Sequence, residues 1–191
     1  MKNRTTVESL VFGGLLVSGT VLRWQLQDVP NFAPVAALAL FAGFFFRSVI
    51  VAAALPLAIM SISDYFIGGY ETRLMLLVYG ALTMPVLFRG AIRKWLAARD
   101  ASASIKFAGC VSASLAASFA FFVLTNLGVF VWSDMYEPTF GGLLRCYVNA
   151  LPFFRNTLAG DLFFGCLLFG THAVVVHSPL SRRIASLFAV V

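Results

Sequence analysis

Six apolar runs separated by short polar segments constrain this chain more than any other feature: residues 7–22, 33–46, 48–62, 74–88, 107–131 and 157–176. A water-facing surface needs charge, and soluble domains are ~25% charged. Here only 12% of residues are charged, 60% are hydrophobic and the mean hydropathy is +0.90. A water-soluble enzyme, a nucleic-acid binder and a disordered chain are excluded on that ground. The expected fold class is an all-α integral membrane protein, with residues 1–191 as a single transmembrane domain.

Three runs are shorter than the ~20 residues that cross a hydrocarbon core, so the number of spans has to be argued. Arg47 separates the second run from the third. Were 33–62 one helix, Arg47 would lie near the bilayer centre at a cost of about 2.5–3.5 kcal/mol. Six spans with both ends in the cytoplasm place Lys2, Arg4, Arg47, Arg89, Arg93, Lys94, Arg99, Lys106, Arg182 and Arg183 inside. Only Arg23, Arg73, Arg145 and Arg155 then lie outside. That asymmetry obeys the positive-inside rule, and merging the two runs would turn RGAIRKWLAARD outward. The basic, apolar N-terminus lacks a small-x-small cleavage site followed by a polar region and reads as a retained first span. The last residues, HSPLSRRIASLFAVV, suit the membrane surface.

Most acids fall outside in this topology (Asp28, Asp64, Glu71, Asp134, Glu137, Asp161), as do Trp24, Tyr65, Tyr70, Trp132, Tyr136 and Tyr147. An interfacial aromatic belt accounts for part of this, and a ligand pocket at the outer face for the rest. The segment 132–156 is richest in aromatics and single polar groups and is expected to form an outer cap. Within it, GGLLRCYVNALPFF reads as a short helix ended by Pro152, lying at the interface or closing as a lid. Asn126, Asn156 and Asp161 lie near span ends, where polar side chains usually face the bundle interior. Asp161 also suits the start of a helix as a complement to the dipole. Asp64, beside Tyr65, has Arg73, Arg155 or a substrate as possible partners.

No GxSxG, HExxH, GxGxxG or GKS/T motif occurs, so neither enzyme activity, nor a cofactor, nor a metal site is expected. His172 and His177 read as interfacial polar residues, and Cys110 and Cys166 as small hydrophobes. Cys146, beside Arg145, has a conceivable role as a reactive thiolate. Ser9, Gly13 and Ser18 share a face of the first span, suited to internal packing or to docking a partner membrane protein, with packing the expectation.

The stretches NFAPVAALALFAGFFF, SDYFIGGY, TNLGVFV and CYVNALPFFRNTLAGDLFFG resemble an uncharacterised bacterial inner-membrane family over residues 31–165. That family is in turn similar to the substrate-binding S components of energy-coupling factor vitamin transporters. The resemblance implies a six-helix, S-component-like bundle with an outward-facing pocket for a vitamin-like nutrient, and an energy-coupling transmembrane and ATPase module as partner. The positions that match the family's outer-face motifs are Asn31, Asp64, Asn126, Tyr147, Phe153, Phe154, Asn156 and Asp161. S components commonly dock through AxxxA on the first helix, where this chain has the Ser9, Gly13, Ser18 face. The leading expectation is therefore a nutrient-binding or uptake protein of the bacterial inner membrane. Its substrate residues would be Asn31, Asp64, Tyr65, Asn126, Trp132, Tyr147, Asn149, Arg155, Asn156 and Asp161. A non-transporting scaffold is the alternative, and an intramembrane enzyme would require Asp64 and Asp161 to meet.

Overall fold

The computed structural model describes residues 2–97 and 103–177. The expectations for Arg99, Asp100, Arg182, Arg183 and the C-terminal tail lie outside the described residues, as do the side chains of Lys2, Lys106 and His177. The described chain is helical throughout: α1 (Lys2–Gln25), α2 (Val35–Phe45), α3 (Val49–Ile67), α4 (Thr72–Thr83), a 3-10 segment (Met84–Phe88), α5 (Arg89–Ala97), α6 (Ala103–Trp132) and α7 (Phe140–His177). Five of its helical stretches are long and apolar enough to cross a membrane, with α4 to α5 counting as one from Thr72 to Leu96. The outside of the bundle is apolar, as a lipid-facing surface must be: Leu10, Ile50, Leu76, Phe119 and Leu167 are all exposed.

The exception in length is α2, whose 11 residues reach only ~16 Å, about half of a hydrocarbon core. It is apolar on every side and buried from Val35 to Gly43, which makes it the central helix, flanked by α3, α7, α1 and the 3-10 segment. Lipid tails are as apolar as leucine, so close packing rather than dehydration holds a helix here. Small residues permit it. A Cβ on Gly43 would stand 3.1 Å from both the Val86 Cα and the Val86 carbonyl oxygen, and Ala36, Ala37, Ala39 and Ala42 extend the same economy of bulk. Around it gather Leu38, Phe46, Leu55, Ile59, Met60 and Val86.

Short as it is, α2 leaves terminal carbonyls that need donors. At its C-terminal end two arginines supply them. Arg93 donates to the Phe44 carbonyl at 3.0 Å and to Phe46 at 2.5 Å, and Arg89 donates to the Arg47 carbonyl at 2.7 Å. Their positive charges also complement the negative end of the helix dipole. Ser48 then caps α3, accepting from the Val51 N–H. Phe12 packs edge-on against Phe46, and His172 edge-on against Phe44, so the first half of α1 and the last turns of α7 lie at this arginine-rich end. The opposite end collects the ends of α1 and α3 and the starts of α2 and α4, joined by the Arg23–Asp64 ion pair.

Two sequence expectations are corrected. GGLLRCYVNALPFF is not a separate short helix ended by Pro152, and 132–156 is not a distinct cap. From Phe140 one helix of 38 residues runs unbroken through Pro152 into the last span, and only residues 133–139 are non-helical. At ~57 Å it is longer than a ~30 Å core requires, and Pro152 lies exposed within it, costing one helical hydrogen bond without ending the helix. Second, the Ser9, Gly13, Ser18 face is not used for internal packing. Ser9 and Ser18 are exposed, and nothing lies within 4 Å of a Cβ built on Gly13 or Gly14. The face of α1 that packs carries Val11, Phe12, Leu15, Leu16 and Gly19 instead.

Candidate functional site

At the end opposite the arginines, a cavity of about 420 Å³ opens over the N-terminus of α2. Its walls come from the end of α1 and the following turn (Arg23, Gln27, Asn31, Phe32), from α3 and α4 (Met60, Val78, Leu82), from Tyr70, and from α6 and α7 (Phe121, Phe122, Thr125, Asn126, Phe153, Thr157). Apolar and aromatic walls with a few polar groups, in a volume within the ~300–1,000 Å³ of small-molecule sites, make this the candidate site.

Each polar group has a local reason for its place. The turn between α1 and α2 is built on Asn31, whose φ of 60° is in the left-handed region that asparagine tolerates better than most residues. The turn leads into Pro34, the α2 cap residue, which offers no side-chain acceptor, so the start of α2 has no side-chain cap, and Ala33 and Val35 beside it line the cavity. A helix start in that condition favours hydrogen-bond acceptors and negative charge. Thr125, Asn126 and Thr157 donate to carbonyls one turn earlier in their own helices (Phe121, Phe122 and Phe153) and keep oxygen lone pairs for other donors.

The charge at the cavity is organised by Arg23. Its guanidinium meets the Asp64 carboxylate at 2.6 Å and donates to Ser63 Oγ at 2.5 Å, while Tyr79 donates to the second Asp64 oxygen at 2.8 Å. Ser63 hands its own proton to the Ile59 carbonyl. The net charge is therefore near zero, yet Arg23 has five N–H donors, so the pair does not exhaust it. Tyr70, also at the wall, has its phenol pushed up to about 12, first by burial and then by the Asp64 carboxylate, with Arg23 opposing; it stays a neutral donor.

Of the ten substrate residues expected from sequence, Asn31 and Asn126 line the cavity. Asp64 is one layer behind it, and its partner is Arg23 rather than Arg73 or Arg155. Asn156 donates to the Pro30 carbonyl at 3.0 Å and so braces the turn that carries Asn31. The others lie elsewhere. Tyr65 is 83% exposed on the outer surface beside Phe66, and Arg155 is also exposed. Trp132 is partly exposed near Gly128 and fits an interfacial belt. Tyr147 donates to the Val123 carbonyl, and Asn149 reaches Tyr136. Asp161 is buried against Ser118, a turn deeper than the cavity. Among the described residues Asp64 and Asp161 share no hydrogen-bond partner.

Cys146, for which a thiolate role near the outer loop was conceivable, is 2% exposed; its thiol donates to the Asn126 carbonyl, a packing contact between α7 and α6. Among the described residues no group of three His, Cys, Asp or Glu side chains gathers that could hold a metal. Arg23, Gln27, Tyr70, Thr125 and Thr157 were missed by sequence reasoning. The signal for Arg23 was present, a lone cation at the end of an apolar span, where a polar group usually has a partner.

A family model described as a family of unknown function, DUF6580, matches residues 3–184. No curated protein and no solved structure matches the chain.

Proposed function

The chain belongs to DUF6580, a family of unknown function, and from the geometry of its cavity and the sequence resemblance to S components we propose that it captures a small, vitamin-like organic nutrient from outside the cell. In this reading the protein crosses the bacterial inner membrane six times, the short α2 and the turn before it together making the second crossing, with both termini and the arginine cluster in the cytoplasm and the cavity facing outward. No bond is made or broken. The observation that carries the reading is the cavity of about 420 Å³ seated on the uncapped start of α2, with Arg23 and Tyr70 in its wall. That donor-rich floor under aromatic walls selects a flat or partly apolar molecule presenting carbonyl or carboxylate oxygens. Uptake beyond capture would draw on a separate energy-coupling module, as in the S components that the sequence resembles.

The test is native mass spectrometry and thermal-shift measurement of the purified chain against a panel of vitamins and their precursors. One member should bind, and Tyr70→Phe should weaken it roughly 3- to 10-fold, the worth of one hydrogen bond. Trp132→Phe, away from the cavity, should leave binding unchanged. A panel without a single ligand would count against the reading, and so would binding untouched by changes at Tyr70 and Phe122.

A second reading, a membrane scaffold, is favoured by one observation: the outward face of α1 at Ser9, Gly13, Gly14 and Ser18, open to a neighbouring helix. It expects a co-purifying membrane protein that is lost on Gly13→Leu.

A further inference from the structure

Two carboxylates are buried in this bundle, and they differ in what faces them. Asp64 is opposed by a guanidinium. Asp161, 3% exposed, meets one polar group, the Ser118 hydroxyl at 2.6 Å; Ser118 is itself fully buried and lies 2.9 Å from the Ser114 carbonyl. A hydroxyl has a single proton to give. Two full hydrogen bonds form here when Asp161 carries a proton and donates it to Ser118, which then donates to Ser114; with Asp161 ionised, the single Ser118 proton is shared between the two acceptors or given to one of them. The ionised alternative leaves a buried charge with one donor and no cation.

Among the described residues the surroundings supply none. The helices packed on α7 are α6 and α2. Val35–Phe45 of α2 contains no titratable residue, and α6 contains only Cys110 and Lys106, roughly two and three turns from Ser118. On α7 itself the nearest candidates are Arg155, which is exposed, Cys166 and, farther on, His172. Arg23 is engaged by Asp64.

Position links the pair to the cavity. Thr157 lines the cavity on α7 and Asp161 follows one turn deeper; Phe121 and Phe122 line it on α6 and Ser118 precedes them by one turn. We propose that Asp161, hydrogen-bonded to Ser118 directly beneath the outer cavity, is a proton-binding site whose occupancy is linked to the filling of that cavity. On release, the carboxyl O–H breaks, the electron pair stays on Asp161, the proton passes to water in the cavity, and the Ser118 hydroxyl swings from the Ser114 carbonyl to the carboxylate. A neutral or anionic occupant that displaces this water favours the protonated form, so its binding takes up a proton and strengthens as pH falls. The linkage rests on the capture reading; the proton site does not.

Infrared difference spectroscopy of the full chain in lipid nanodiscs, titrated with pH alone, tests the site. A carboxylic-acid C=O band at neutral pH should be absent in Asp161→Asn and displaced in Ser118→Ala. No such band, or one that persists in Asp161→Asn, overturns the proposal. The linkage is tested by filling the cavity without a nutrient: Thr157→Cys, in a chain with Cys110, Cys146 and Cys166 replaced by alanine, is labelled with benzyl methanethiosulfonate. The pH at which the band disappears should rise by about 1 unit, the scale of a local desolvation effect. An unmoved titration overturns the linkage, and Thr125→Cys serves if the first variant does not fold. A proton site present without any nutrient ligand would retain this inference and remove the capture reading, whereas a ligand with no proton site would do the reverse.

Discussion

Arg23 and Asp64 fasten the ends of α1 and α3 at the cavity wall, and what each costs alone differs from what the pair is worth. Arg23→Ala leaves the Asp64 carboxylate buried with Tyr79 as its remaining partner, a loss of about 3 kcal/mol, the low end for a buried pair because Arg23 keeps some exposure. Replacing both, Arg23→Met with Asp64→Leu, removes the stranded charge and should recover most of that loss. A double-mutant cycle on unfolding in detergent measures the difference, and additive losses would contradict the coupling. Glu71 offers a pH test. It caps α4 by accepting from the Leu74 N–H at 2.8 Å, and the Leu74 and Arg73 backbone amides hold its carboxyl below the usual range. A lowered folded value means the contribution is present above the unfolded value of ~4.3 and is lost as pH falls through the folded one. Hydrogen exchange at Leu74 should quicken in that window in the wild-type chain, with no such step in Glu71→Ala.

Among the elements, α2 and α1 show opposite uses of glycine. Gly43→Ala drives a methyl against the backbone at Val86, which cannot turn aside as a side-chain tip would, and should cost about 1–3 kcal/mol. Gly13→Ala meets nothing within 4 Å and removes a helix-interior glycine, so stability should stay level or rise by up to ~1 kcal/mol. Thermal unfolding of the two variants separates these effects, and equal destabilisation would show that α1 packs on its small-residue face after all. The contrast was invisible in the sequence, where both are glycines on apolar helices. The same locality explains the misplaced end at Pro152. Proline removes a backbone donor wherever it stands, but whether the helix stops depends on what surrounds that turn.

For the whole molecule the decisive issue is which end faces which compartment. Ser48, at the arginine-rich turn, and Ser133, just after α6, mark opposite ends of the bundle. In a chain freed of its own cysteines, Ser133→Cys should react with an impermeant maleimide added to intact cells, and Ser48→Cys only after the cells are opened. The reverse pattern would put the cavity in the cytosol and end the capture reading. The end of the bundle that carries the cavity was legible as a region because aromatics and acids accumulate there. The residues that line the cavity were mostly not, since five of its polar groups come from α1, the turn after it, Tyr70, α6 and α7, which converge only when the bundle closes.

Hydropathy and charge are properties of neighbouring residues, and so the apolar runs, the helical class, the break at Arg47 and the basic and acidic ends could be read along the chain. Pairings between distant residues could not. That Asp64 meets Arg23 rather than Arg73, that Asp161 meets only Ser118, and that the short α2 is buried with its start beneath a cavity follow from the packing of six helical segments against one another. In a membrane, helices find one another through shape and a few hydrogen bonds rather than through a general aversion to solvent, and shape exists only in three dimensions.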